Sequence, residues 1–320
     1  MQETTLKTTR LGVTGLEITR VGFGAWAIGG GGWEFGWGPQ DDEQSIAAIH
    51  RALEHGINWI DTAAAYGFGR SEQIVGRALE GLAERPYVFT KCSLLEGPSR
   101  KVAHSLKRDS ILREAEASLA RLDLDAIDLY QIHWPIPVPD IEEGWAALAE
   151  LKQQGLVKHI GVSNFDVEQL RRIGQIAPVE TLQPQYSLIE RDVEQEILPL
   201  VERERIGVIV YSPMGSGMLT GGMTRERIER LADDDWRKHD ERFREPQLTR
   251  NLELVDRLER VAARRDTTAG AVAVAWTLRN PAVDGAIVGF RRPEQVDPIL
   301  AAANLELTTE DIAEIEGNTR

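Results

Sequence analysis

Cysteine is nearly absent: Cys92 stands alone among 320 residues, which excludes an internal disulfide and any cysteine-based zinc site and suits a reducing compartment. Beside Lys91 the thiol invites a nucleophilic role, but in an apolar stretch it reads as a buried structural group. Basic residues are in deficit. The 37 Lys and Arg against 51 Asp and Glu leave a formal net charge of −14, which argues against nucleic acid or anionic membrane as a general partner. Long apolar runs are missing as well. The longest charge-free span, residues 206–224, nears the length of a membrane helix, but Pro213 and several glycines make its second half a loop. Residues 1–10 are polar, with Glu3, Lys7 and Arg10, and contain no apolar core of a secretory signal, so a cytoplasmic location is expected. His50, His55, His104, His159 and His239 show no metal-ligand spacing, and no metal is expected.

What is present is a regular alternation. Short β-branched runs at 21–24, 58–61, 87–91, 127–133, 159–163, 181–185, 207–211 and 285–288 read as strands. Between them apolar residues recur at helical spacing, as in Ile46, Ile49, Leu53 or Trp145, Leu148, Leu151. Asp42, Asp109, Asp140 and Asp166 stand where N-caps belong. With no linker dividing residues 1–320, the pattern predicts one domain, an α/β fold of the (β/α)8 TIM barrel type, rather than two doubly wound halves. Residues 11–21, alternating around Gly12 and Gly15, predict a hairpin over one end. Segments 29–40, 134–140 and 214–250 are too long for simple connections. All follow strands, which in a barrel gathers them on the C-terminal face.

The most informative stretch is N-W-I-D-T-A-A-A-Y at 58–66, a buried strand that ends on a carboxylate. Three successive strands end on ionisable residues, Asp61, Lys91 and His133, and Tyr66 follows the first of them in a glycine-containing loop. His133 alone would read as a core histidine; in D-L-Y-Q-I-H-W-P it closes a buried strand. Buried charges are costly unless paired, so this set predicts acid-base chemistry: Asp61 pairs with Lys91, and the ammonium lowers the Tyr66 phenol from its usual ~10. Tyr66 would then protonate a carbonyl oxygen to which His133 also donates, while a hydride reaches the carbon from elsewhere.

The hydride source has no Rossmann fingerprint. Gly22-Phe-Gly-Ala-Trp-Ala matches G-x-G-x-x-A, but glycines rather than a helix follow it. A better cradle for phosphate is Ser212-Pro213-Met214-Gly215-Ser-Gly217, followed by a second candidate at Gly289-Phe290-Arg291-Arg292. The paired arginines could take a ribose phosphate, which favours NADP(H) over NAD(H). Tyr211 stands where it could stack on a flat ring.

These residues together resemble the aldo-keto reductases over nearly the whole chain, from Leu11 to Leu305. The resemblance rests on D-T-A-A-A-Y-G-x-G-x-S-E at 61–72, L-D-x-I-D-L-Y-x-I-H-W-P at 124–135, I-G-V-S-N-F at 160–165 and Y-S-P-M-G-S-G at 211–217. It implies a barrel that reduces an aldehyde or ketone with NAD(P)H, with Tyr66 as proton donor supported by Asp61, Lys91 and His133. It also implies that Ser163, Asn164 and Gln183 hold the nicotinamide carboxamide and Tyr211 stacks on the ring. Gly24 and Trp26 would border the cofactor and the substrate opening, and Gln185 is the alternative to Gln183. Many members carry Lys at the position of Gly289 and Arg at that of Gln295, so Arg291 would substitute here, and the bacterial and potassium-channel-subunit-like branch is the more similar. A small-molecule carbonyl or alcohol substrate and a monomer or small homo-oligomer are expected. The rival readings are a cofactor-binding regulatory subunit and a Schiff-base lyase or aldolase built on Lys91. Residues 33–37, Trp134 and 233–245 are expected to wall the substrate pocket.

Overall fold

The computed structural model describes residues 5–317. Residues 1–4, part of the stretch inspected for a secretory signal, lie outside the described residues, as do 318–320. Strands β1 (Thr8–Arg10) and β2 (Glu17–Thr19) form an antiparallel hairpin. Eight parallel strands then close a barrel: β3 (Val21–Gly24), β4 (Trp59–Asp61), β5 (Tyr87–Cys92), β8 (Ile127–Ile132), β9 (Val157–Ser163), β10 (Thr181–Gln183), β11 (Gly207–Val210) and β12 (Gly285–Gly289). A second hairpin, β6 (Leu94–Glu96) with β7 (Val102–His104), is inserted after β5. The barrel is the expected (β/α)8 architecture, and every expected barrel strand is present. Among the described residues no helix is long and apolar enough to cross a membrane.

Strand alternation sorts the barrel interior into layers. Trp59, Phe89, Leu129, Ile209 and Ile287 meet in one apolar cluster, closed from below by Leu11, Leu16 and Ile18 of the first hairpin. Trp59 Nε1 donates to the Thr19 carbonyl at 2.8 Å, so the hairpin satisfies the indole's one polar atom. The hairpin differs from expectation in register: its strands lie at 8–10 and 17–19, and residues 11–16 form the connection, so that Leu11 and Leu16 of the plug lie in the turn and Ile18 in β2. Gly22, first glycine of the misleading G-x-G-x-x-A, leaves room for this indole, since a Cβ there would lie 2.1 Å from Trp59 Cε2.

The helix starts show where local pattern misleads. Asp166 caps Val167–Gly174 with a full capping box, as expected. Asp41, not Asp42, caps Asp42–Glu54, because Asp42 is drawn into ion pairs with Arg70 and Arg77. Asp109 lies inside the first turn of Arg108–Leu122, whose N-cap is Lys107. Asp140 precedes Ile141–Gln153 but pairs with Lys107, at 2.9 Å, instead of capping. Segment 214–250 is not one loop: short helical pieces at Gly215–Thr220, Arg225–Glu229, Trp236–His239 and Glu241–Phe243 lead into the helix Gln247–Arg264.

Replacing Gly22 by Ala is expected to cost about 1–3 kcal/mol in urea unfolding through overpacking. Gly174→Ala, where none of the described residues lies within 4 Å of the new Cβ, should be neutral or slightly stabilising. Equal behaviour of the two variants would contradict the packing account.

Candidate active site

Two residues beyond the apolar layer, the same strands deliver a different set. Asp61 follows Trp59, Lys91 follows Phe89, Gln131 follows Leu129, Tyr211 follows Ile209 and Gly289 follows Ile287, at a spacing that returns each side chain to the barrel interior. Above them opens a cavity of about 1240 Å³. Its walls include Trp33, Glu34, Phe35 and Trp37 of the first long loop, Trp134 and Ile136 of the second, and Trp236, Arg237, Asp240 and Arg242 of the third. The three long segments therefore converge as expected. The inserted hairpin adds Leu94, Val102 and His104.

Lys91 is fully buried, and its Nζ donates to Asp61 Oδ1 at 2.5 Å, to the Thr62 carbonyl at 2.9 Å and to Tyr66 Oη at 3.3 Å. All its N–H bonds are engaged, so a Schiff-base nucleophile finds no support. Asp61 accepts a further hydrogen bond from Gln183 Nε2 at 2.9 Å, and the same nitrogen reaches Gln131 Oε1 at 3.4 Å. Lys91 is the penultimate residue of β5 and His133 lies one past the end of β8, small departures from the strand-end positions expected. The His133 ring meets Tyr66 edge-on, centroids 5.6 Å apart, and its buried Nδ1 has no hydrogen-bond partner among the described residues. Trp26 stacks against Tyr66 at 6.3 Å.

Burial dominates the electrostatics. It pulls the Lys91 ammonium below its ordinary value and pushes the Asp61 carboxyl up, each opposed by the other's charge. His133 is held well below 6.5 by burial and then by Lys91, so the imidazole is neutral. Tyr66 is pushed well above 10, by burial first and the Asp61 charge second. This overturns the expectation that Lys91 lowers the phenol: Asp61 already neutralises the ammonium, and desolvation decides. Cys92 is likewise pushed up by burial, as befits a structural thiol.

Most residues expected to hold a cofactor share this cavity. Gly24, Trp26, Asp61, Ser163, Asn164 and Gln183 line it near Tyr66; Tyr211, Ser212, Pro213, Met214 and Gly217 follow; Gly289, Phe290, Arg291 and Gln295 continue it. Gly215 does not reach the wall, and a Cβ there would meet Ile189 at 2.6 Å. Tyr211 Oη donates to Asn164 Oδ1 at 2.9 Å, which fixes the ring, while Asn164 Nδ2 donates to Ser163 Oγ and the His133 carbonyl at 3.0 Å. Gln185 also lines the cavity and lies 3.4 Å from Tyr211 Oη. Arg291 Nε donates to Gln40 Oε1 at 2.7 Å and an Nη to the Pro39 carbonyl, so neutral oxygens orient it without cancelling its charge. Gln295 shapes the turn: its Oε1 accepts from the Arg291 and Arg292 amides at 2.7 and 3.2 Å.

These groups fit a nicotinamide nucleotide. Side-chain-free Gly24 and Gly289 lie opposite each other in the β3–β12 register, Tyr211 presents a ring, and cationic Arg227, Arg291 and Arg292 stand in the walls. Sequence reasoning missed Gln131, although the alternation of Leu129, Gln131 and His133 places it inside. It also missed Arg227 and Gln40, whose roles depend on loops meeting across the barrel.

Comparison with known proteins agrees with this arrangement. The model of the Aldo/keto reductase family matches residues 20–319. The chain is 39% identical over 310 residues to "Aldo-keto reductase YhdN" of Bacillus subtilis, covering 96% of this chain and 92% of that protein. It is 36% identical over 322 residues to the "NADH-specific methylglyoxal reductase" of Escherichia coli, covering 96% of each. Among solved structures it is similar to the glycerol dehydrogenase AKR11B4 from Gluconobacter oxydans, with TM-score 0.86, 37% identity and coverage of 99% and 95% of the two chains. An aldo/keto reductase from Klebsiella pneumoniae, solved in complex with NADP and acetate, gives TM-score 0.74 at 26% identity, covering 98% and 95%.

Asp61→Asn strands the Lys91 ammonium among neutral acceptors, and is expected to cost about 3–5 kcal/mol in denaturant unfolding. Asp61→Asn with Lys91→Met should regain much of the loss, and no regain would show that the pair is not the source of the cost.

Proposed function

The chain belongs to the aldo/keto reductase family, and on that premise we propose that Tyr66 delivers the proton in its reaction. The reaction class is reduction of an aldehyde or ketone to an alcohol with a nicotinamide cofactor. The observation that carries the Tyr66 assignment is the direction of one hydrogen bond. Nζ of a cationic Lys91 can only donate, so its contact with Oη uses an oxygen lone pair and leaves the phenolic O–H free for a substrate oxygen.

The bound cofactor supplies hydride to the carbonyl carbon. Tyr66 gives its proton to the carbonyl oxygen, and neutral His133 offers that oxygen a second hydrogen bond. A phenol raised well above 10 stays protonated until the carbonyl oxygen gains charge, and the phenolate left behind lies beside Lys91. Ser163, Asn164 and Gln183 would hold the carboxamide of the bound cofactor, with Tyr211 against the ring. Trp26 keeps water from one face of Tyr66.

NADPH is preferred over NADH in this reading. Support comes from Arg227, Arg291 and Arg292, which line the cavity and, among the described residues, have no carboxylate within ion-pair distance. Glu294 lies beside them and tempers the preference. The substrate is a small carbonyl compound or alcohol; the acidic charge and lone cysteine suit a cytoplasmic protein.

Fluorescence titration should find NADPH bound equally by the wild type and Tyr66→Phe, with kcat for an aromatic aldehyde reduced on the order of 10²–10⁴-fold in the variant. Retained turnover would remove Tyr66 from the donor role. Arg291→Ala should weaken NADPH about tenfold or more and leave NADH nearly unchanged. Equal weakening of both would refute phosphate recognition by Arg291.

A further inference from the structure

Glu72 closes the motif at 61–72, yet the reaction described above leaves it without a role. It lies in the first turn of the helix Arg70–Leu79 and is fully buried outside the barrel wall. Thr90 Oγ1 donates to its Oε1 at 2.6 Å, and Arg121 Nε, from the helix Arg108–Leu122, donates to its Oε2 at 2.6 Å. Thr90 immediately precedes Lys91 in β5, so strand alternation turns one residue toward Glu72 and the other into the barrel. The helix bearing Glu72 is also tied to the catalytic loop. Ser71 N donates to the Tyr66 carbonyl at 3.1 Å, and Ser71 Oγ donates to the Ala25 carbonyl and lies 2.9 Å from Thr62 Oγ1. The Thr62 carbonyl is one of the acceptors of Lys91. Glu72 thus fastens the element that carries Tyr66 to the strand that carries Lys91.

We propose that Glu72 is a positioning residue of the reductase: clamped by Thr90 and Arg121, it holds Tyr66 in register with Lys91, and its carboxylate stands behind the strand that carries the ammonium. This rests on Tyr66 being the proton donor. A neutral anchor could fix the same helix, but a carboxylate behind the strand adds to what Asp61 does in front of it. Lys91 faces Asp61 and Tyr66 from β4 and its loop and His133 from beyond β8, while Glu72 stands behind the strand on the outer helix. Burial disfavours its charge; Asp61 opposes that most, and Glu72 also opposes it. Around Glu72 stand Arg121 and Glu114 of the helix Arg108–Leu122, with Tyr130 of the adjoining strand β8. Burial pushes the Glu114 carboxyl up to about 7.

The test is the alkaline limb of kcat/KM for carbonyl reduction. Activity requires cationic Lys91, so it falls as pH rises through the lysine's pKa. Glu72→Gln removes a negative charge and should move the limb to lower pH, whereas Arg121→Gln removes a positive one and should move it to higher pH, each by on the order of half a unit. Thr90→Val keeps both charges and should lower kcat with the limb in place. NADPH affinity should stay unchanged in all three variants, because none of these residues lines the cavity. Limbs that do not move, or that move in one direction, would reduce Glu72 to a packing role and overturn the proposal. If Glu72→Gln does not fold, Arg121→Gln decides alone: an upward shift supports the proposal and a static limb overturns it. Full turnover by Tyr66→Phe would instead sink the donor assignment, an outcome separate from any of these.

Discussion

The buried contact between Lys91 and Asp61 constrains everything around it. Removing an ammonium and a carboxylate from water costs several kcal/mol per ion, and their attraction offsets this only when the remaining hydrogen-bonding capacity is filled. Here the Thr62 carbonyl and Tyr66 Oη complete the lysine, and Gln183 completes the aspartate from across the barrel. A change at β4, β5 or β10 is therefore felt at the phenol. The same arrangement explains why Tyr66 stays neutral: a cation already neutralised by its partner cannot offset the desolvation of a phenolate.

Chemistry and stability are separated by height along the strands. The lower layer is apolar, filled by Trp59 and its neighbours and stoppered by Leu11, Leu16 and Ile18. The layer two residues higher holds the ionisable and hydrogen-bonding groups. Because the step between layers is one strand period, the large side chains below fix the backbone that aims the polar ones above. Gly22 belongs to the lower layer, where its missing side chain makes space for an indole rather than for a phosphate.

Across the top, the long segments are knitted together by aromatic and cationic contacts. Trp236 stacks on Trp26 at 5.4 Å, Trp26 stacks on Tyr66, and Trp37 meets both tryptophans edge-on at 5.3 and 5.9 Å. Arg237 lies 4.3 Å from the Trp37 ring while chelated by Asp235, and Arg291 reaches the Pro39–Gln40 turn. The segment after β11 and the loop after β3 thus roof the cavity together.

The sequence by itself determined the barrel and which ionisable side chains its strands carry to one end. Asp61, Lys91 and His133 were legible because charged or polar residues ending apolar runs are rare unless used, and Tyr66 because it follows the first of them in a glycine-containing loop. Period-two alternation also contained Gln131, had it been followed inward. Tertiary structure decided what depends on distance between remote segments. Whether Asp41 or Asp42 caps a helix turned on Arg70 and Arg77. The direction of the Tyr66 shift turned on burial, which composition does not express. The orientation of Arg291 by Gln40 joins residues 251 positions apart, and the clamp of Glu72 by Arg121 joins residues 49 apart. Local pattern records which face of a strand or helix a residue occupies; only the closed barrel brings those faces within hydrogen-bonding reach.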